Sequence, residues 1–323
     1  MLIKFYNLNN IPDNIILPDI YFTSEYGKAC EYSDNATWEL CQYKDLIYVY
    51  LKKIYVFEKN TYYDLITPYG YSGFYFEKQE TYDEFIPLFR YESIKKNYIT
   101  EVVRQNPYIN IKITNYDIII SKNTMGIKIS NYKNLDEYLN TTHKDNKRGY
   151  NIGLKNNLVL QWEHFNEENL KKFKNVYEET MSNLNSSKYY YFNENYYNSL
   201  INMKENIKFV NIYKDNILIA SCIIFKYKKF LHYHLGGSLL EYRYLRPNNF
   251  LHCNVIKYGI ENNYDLYHLG GGLKDNDTLF EFKNKIGNIK FNYTIYKNIV
   301  NKDVYERIKN FSYENNEKFP IHR

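Results

Sequence analysis

The chain has 323 residues, 44% hydrophobic and 24% charged, enough apolar side chain for about two cores and too much for a disordered chain. Lys and Arg (42) barely outnumber Asp and Glu (37), and the net charge of +5 is not gathered into a long basic block, which excludes a dedicated nucleic-acid scaffold. Four scattered cysteines without a CxxC pair fit neither a disulfide framework nor a structural zinc site, and are expected in a reducing cytoplasm.

Tyrosine is abundant at 39 residues, and with Asn, Ile and Lys it gives the mix that AT-rich codon usage produces. The tyrosines therefore read as amphipathic fillers, each needing a hydroxyl partner where it is buried. The first residues, Met-Leu-Ile-Lys-Phe-Tyr, lack the cationic start and long apolar run of a signal peptide. The longest apolar run, 217–225, is far too short to cross a bilayer. A cytoplasmic protein without a membrane span is expected.

In chain order, 46–57 reads as strand, 61–67 as a second strand ended by Pro68, and 69–73 as a glycine-bearing turn. Residues 81–97 have a helical pattern with Phe85, Leu88, Phe89 and Ile94 near one face. A buried strand is expected over 116–121, with β signal continuing over 124–129. One helix is expected over 134–154, capped by Asn134 and carrying His143, Lys144, Lys147 and Arg148. Asn166 caps the clearest helix, whose stripe is Leu170, Phe173, Val176, Tyr177, Met181 and Leu184. Segments 207–213, 217–225 and 230–235 read as three antiparallel strands. After a loop over 236–246, Pro247 opens a helix to about Asn262; 265–269 is a strand, 278–286 a helix, 291–299 a strand and 302–311 a helix.

Three stretches could carry chemistry. His232 and His234 share a strand face, but no third ligand stands at a metal spacing, so hydrogen-bonded strand histidines and no metal are expected. Gly270-Gly271-Gly272 offers bare backbone amides to a phosphate or acyl group; no Gly-Lys-Ser/Thr follows as in a P-loop. Lys283 follows on the next helix, within Phe280-Glu281-Phe282-Lys283, where partial burial would let it stabilise an oxyanion, although most helix lysines are solvated. The unpaired first-turn amides after Pro247, at Asn248 and Asn249 and beside Arg243 and Arg246, form an anion site or an ordinary loop.

The segments Thr67-Pro68-Tyr69-Gly70-Tyr71-Ser72-Gly73, Lys147-Arg148, Tyr190-Tyr191-Phe192, His232-Tyr233-His234-Leu235, Leu245-Arg246-Pro247-Asn248, His268-Leu269-Gly270-Gly271-Gly272 and Phe282-Lys283 occur in this order. As an ordered set covering 64–305 they resemble the Fem-like (FemABX-type) branch of the GNAT N-acyltransferase superfamily. The resemblance implies an α+β fold of tandem GNAT-like domains, each a mixed, mostly antiparallel sheet flanked by helices. The first domain would be 1–146 plus about 305–323, and the second 147–304. The implied activity moves an acyl group from acyl-CoA, a co-substrate and not a bound cofactor, to the amine of a nucleotide-linked amino sugar or similar surface-glycan precursor. The alternative is Fem-type transfer of an amino acid from aminoacyl-tRNA to a peptidoglycan precursor; a non-catalytic glycan-binding protein is the reading from another class. Lys283 matches the family's Phe-Lys lysine, which assists the charged intermediate, and His234 and His268 are candidate bases. Tyr69, Gly70 and Tyr71 match a loop near the acceptor, with Lys147, Arg148 and Tyr233 as further substrate contacts. Arg243, Arg246, Asn248, Asn249, Gly270 and Gly271 are the candidates for the donor's phosphates. The Arg/Gln-x-x-Gly-x-Gly/Ala pyrophosphate signature is missing between Gly237 and Asn249, and no heptad arm is present.

Overall fold

The structure, a computed structural model, describes residues 2–272, 277–311, 319–320 and 322. The first half of the chain runs β1 (Lys4–Tyr6), α1 (Ser24–Asp34), β2 (Thr37–Tyr43), β3 (Leu46–Phe57), β4 (Asn60–Ile66), β5 (Gly73–Tyr75), α2 (Gln79–Lys95), β6 (Tyr98–Arg104) and β7 (Asp117–Lys128). Then come α3 (Leu135–Thr141), α4 (Lys144–Lys155), β8 (Val159–His164), α5 (Glu167–Asn183), α6 (Glu194–Leu200), β9 (Ile207–Lys214), β10 (Ile217–Tyr227) and β11 (Phe230–Ser238). The last are α7 (Pro247–Glu261), β12 (Leu266–Gly270), α8 (Thr278–Ile286), β13 (Ile289–Ile299) and α9 (Lys302–Phe311).

The chain forms two compact units, 1–121 with 292–323, and 122–291, so the divisions fall inside β7 and β13. These limits lie elsewhere than the expected 146 and 304. Helices α3 and α4 pack on α7, and the end of β7 pairs with β12, which draws 122–146 into the second unit. Strand β13 pairs with β6 through 295–299, which draws the chain back to the first unit before α9 begins.

In the first unit β1, β2, β3 and β4 are successive antiparallel neighbours, β4 and β6 are parallel, β6 and β13 antiparallel, and β5 lies against β3. Its core is aromatic: Tyr48 stacks on Phe74 at 4.0 Å, and Phe85 on Phe89. The hydroxyls end on buried carboxylates. Tyr50 and Tyr98 donate to Glu39, and Tyr48 and Tyr116 to Glu101. Burial raises the Glu101 carboxyl above its usual range. On α2, Phe85 and Phe89 are buried as expected, but Leu88 and Ile94 are exposed, because the helix is covered on a narrower face than its apolar content implies. Ile118, Ile119 and Ile120 are likewise exposed at the start of β7, so 116–121 is not the buried strand expected.

In the second unit the order is β7, β12, β11, β10, β9, β8; β11 and β12 pair in parallel and the other neighbours antiparallel. Helix α5 packs over β10 and β11; its stripe is buried at Leu170, Phe173, Val176 and Tyr177 but exposed at Leu184, beyond the sheet. Helices α3, α5 and α8 start at Asn134, Asn166 and Asp277, whose side chains accept from the amides of Glu137, Asn169 and Phe280. The expected single helix over 134–154 is two. Thr142 is extended (φ −70°, ψ 162°) and His143 caps a new start by accepting from the Asp145 amide.

Candidate active site

The parallel pairing of β11 with β12 runs only from Phe230/Leu266 to His232/His268. Beyond it β11 keeps β10 as its partner, while β12 keeps β7. The sheet therefore splits, and the facing edges of the two strands have backbone groups to offer an occupant. A register shift between Ile223 and Ile224 puts His234 in a bulge of β11, with Tyr233 opposite Ile224 and Leu235 opposite Ile223.

Lys283 of α8 lies beside this opening. It is 6% exposed, and its Nζ donates to the Gly271 carbonyl at 2.7 Å and stands 5.7 Å from the Tyr233 ring centre. Burial pulls its pKa down to about 7, Asp277 opposing and Lys122 adding to the drop. It is thus not the solvated lysine most helices carry. Phe280 on the same helix is buried, and the Phe282 ring lies 5.8 Å from His252. His252 of α7 and Tyr267 of β12 share a 2.9 Å hydrogen bond, and the Tyr233 ring is 5.0 Å from His252. Burial, aided by the Lys283 charge, takes His252 down to about 3, so it is neutral. Burial also holds the Tyr233 and Tyr267 phenols protonated. The arrangement is a buried, titratable cation among aromatic rings and a neutral histidine, with Asp277 and Lys122 as the other charges that act on it, and at such burial a charge acts strongly.

The expected residues divide. Lys283, Tyr233, Gly271 and Gly270 come together; Gly270 takes φ +76°, and a Cβ on Gly271 would sit 3.0 Å from the Asn123 carbonyl. His268 is buried, with Nε2 3.0 Å from Thr124 Oγ1, and burial, then the His232 and Lys283 charges, lowers its pKa. His234 is not grouped with Lys283. Its Nε2 bonds Tyr196 at 2.7 Å and its ring stacks on Phe225, on the α6 side of the strand, while its neighbour Tyr233 faces α8. Among the described residues no cluster of three His, Cys, Asp or Glu side chains could hold an ion.

At the α7 end, Asn248 donates to Ser238 at 3.1 Å. Asn249 is buried and donates to Asn146 of α4, so its side chain is engaged in helix packing and is not presented to a ligand. Arg246 adopts φ +55° at the helix start, which has no side-chain cap, and Arg243 is exposed nearby. Lys147 and Arg148 lie on the exposed face of α4. Tyr69, Gly70 and Tyr71 belong to the first unit: Gly70 has φ +95° and a Cβ there would meet the Tyr21 ring at 2.4 Å, while Tyr71 packs edge-on against Tyr21. His252 and Tyr267 were not expected from the sequence. The available signal was one histidine inside the buried run Phe250-Leu251-His252-Cys253.

No curated protein matches the chain in sequence. The family model of an acetyltransferase (GNAT) domain matches residues 164–284, from the end of β8 into α8. Among solved structures the chain is similar to FemX, with a TM-score of 0.67 at 15% identity over 90% of this chain and 94% of that one. It is also similar to L-PGS from Bacillus licheniformis (TM-score 0.55, 12% identity, 85% and 87% covered). A DUF2156 domain from Agrobacterium fabrum is similar as well (0.55, 11%, 88% and 89%). At such identities the likeness is one of fold. The chain has the α+β GNAT fold in its Fem-like form, with mixed, mostly antiparallel sheets flanked by helices. Among the described residues no helix is long and apolar enough to cross a membrane.

Proposed function

We propose that this GNAT-fold chain is an N-acyltransferase of the Fem type, passing an aminoacyl group from aminoacyl-tRNA to the amine of a peptidoglycan precursor. The observation that carries the reading is Lys283, a lysine titrating near 7 beside the opening between β11 and β12. The Fem-like fold over nine tenths of the chain supports the aminoacyl donor, as does the missing pyrophosphate signature.

In this reading the donor carbonyl enters the split sheet, and backbone amides along β11 orient it. The neutral acceptor amine attacks; a C–N bond forms and the ester C–O bond to the tRNA ribose breaks. The amine proton ends on the released hydroxyl. Charged Lys283 stabilises the oxygen that becomes negative on the way, and the phenols of Tyr233 and Tyr267 keep bulk water out. A second reading, acyl-CoA transfer to an amino sugar, draws on the uncapped α7 start flanked by Arg246.

One experiment separates them. Radiolabelled aminoacyl-tRNA and a muramyl-pentapeptide precursor are mixed with the protein, and in parallel acetyl-CoA with nucleotide-linked amino sugars. Protein-dependent transfer of the labelled amino acid is expected. Thiol release without amino-acid transfer moves the conclusion to acyl-CoA, and neither product across both panels overturns the acyltransferase reading.

A further inference from the structure

Helix α4 breaks a local rule of folding. Its inner face, Asn146, Gly149, Tyr150 and Gly153, packs on α7 so closely that a Cβ on Gly149 would lie 2.6 Å from Asn249 and one on Gly153 2.6 Å from Phe250. Its outer face carries Lys144, Arg148, Asn151 and Lys155 at i, i+4, i+7 and i+11, with Lys147 alongside, all exposed. Among the described residues none of these cations has an ion-pair partner, and Lys147 only meets the Asn140 side-chain oxygen. The helix's one acid, Asp145, is taken by Lys285.

Lys155 stands in the last turn, where the helix dipole favours a cation, but nothing in folding favours Lys144, Lys147 and Arg148. Unpaired first-turn amides repel cations, and like charges four apart on a helix repel one another. Helices α3 and α5 follow the rule, each with two acids in the first turn and no cation there. Residues that oppose local stability and gain nothing elsewhere in the fold point to a ligand. The cations Lys144, Arg148 and Lys155 stand about 6 Å and about 10 Å apart along roughly 16 Å of helix, a linear row suited to the charges of a chain-like polyanion. Beside them stand Asn151, the part-buried Ile152 and a single exposed Leu154, and not the row of bulky apolar side chains that an interfacial membrane helix would present beside its lysines.

We infer that the outer face of α4 is a docking surface for the phosphodiester backbone of RNA. The surface deepens the aminoacyl-tRNA reading, on which its biological partner rests, and it adds affinity without sequence recognition. It lies on the second unit, on the helix packed beside the start of α7, and so along the same unit as Lys283.

The test is binding of fluorescein-labelled deacylated tRNA by the full chain, followed by anisotropy across a salt series. Wild-type protein is expected to bind, and the K144A/R148A/K155A triple variant, whose side chains are exposed, to keep its melting temperature and lose at least ~10-fold in affinity at low salt. Its slope of log K against log salt should fall by ~2 to 3, at roughly 0.7 to 0.9 per phosphate contact removed. Lys171→Ala, which removes an exposed cation from α5, should bind tRNA as wild type does. Absence of wild-type binding, a triple variant with unchanged affinity and slope, or attachment to phosphatidylglycerol vesicles with no tRNA binding would each overturn the surface. The two proposals fail separately: amino-acid transfer undiminished in the triple variant removes the surface and leaves the chemistry, while α4-dependent binding without any transfer does the reverse.

Discussion

Burial sets the behaviour of Lys283. Removing its ammonium from water brings the pKa from a lysine's usual value near 10.5 to about 7, with Asp277 pulling it up and Lys122 pushing it down. Between about 7 and 10.5 the unfolded chain holds a proton at this residue that the folded chain lacks, so this group makes stability rise with pH across that window. Below about 7 both states are charged and the penalty is constant. Each unit is worth about 1.4 kcal/mol, and loss of the bond to Gly271 returns about 1 to 2. Lys283→Met should therefore stabilise the protein by about 3 kcal/mol at pH 6, with the gain vanishing near pH 10; a gain independent of pH in urea melts would refute the buried-cation account. Activity should move the other way. If charged Lys283 steadies the oxyanion, wild-type kcat declines as pH rises through about 7, and Lys283→Met lowers kcat at least ~10-fold, about 1.4 kcal/mol, and abolishes that decline. A variant that keeps both the rate and the limb takes Lys283 out of the reaction.

Helix α4 shows how an element is fixed by its neighbour more than by its own sequence. In an exposed helix Gly→Ala gains up to about 1 kcal/mol. At Gly149 the new methyl would meet Asn249 Cβ and Cγ, and Asn249 is tied to Asn146 and cannot yield. Gly149→Ala should instead lose ~1–3 kcal/mol, read as a lower urea midpoint at unchanged m-value; a stabilised variant would show that the two helices are free to part. The same dependence marks what the sequence disclosed. Helices α8 and α9 were legible at 278–286 and 302–311 because periodicity and end signals are local. The break between α3 and α4 was not, since Thr142 is held by bonds to Tyr138 and to the Lys285 carbonyl, far along the chain. Strand β2 escaped notice because its Glu39 breaks the apolar pattern, and only Tyr50, Tyr98 and Lys52 from elsewhere make that carboxylate bearable inside. At the site, Lys283 and the glycines were legible from ordered motifs. His252 and Tyr267 meet only once α7 crosses the sheet.

At the scale of the molecule, the four cysteines report on each unit from within. Cys30 and Cys41 belong to the first unit and Cys222 and Cys253 to the second, all buried and unpaired. Burial raises every thiol above its usual range, Cys253 to about 12, so neither access nor ionisation favours reaction in the folded state. Cys41 sits in the aromatic core around Tyr48 and Tyr50, and Cys222 and Cys253 in the core shared by the second unit's sheet and α7. A thiol so placed is reached only when its core opens, and a close-packed core opens as a whole. Under native conditions Ellman's reagent should therefore find almost no thiol. In a urea series with pulsed alkylation and mass mapping, Cys222 and Cys253 should be labelled together at one midpoint, and Cys30 and Cys41 together at another or the same one. Labelling of Cys253 well before Cys222 would mean that α7 leaves the sheet by itself, and the packing that positions His252 against Tyr267 would then be a local and separable stability.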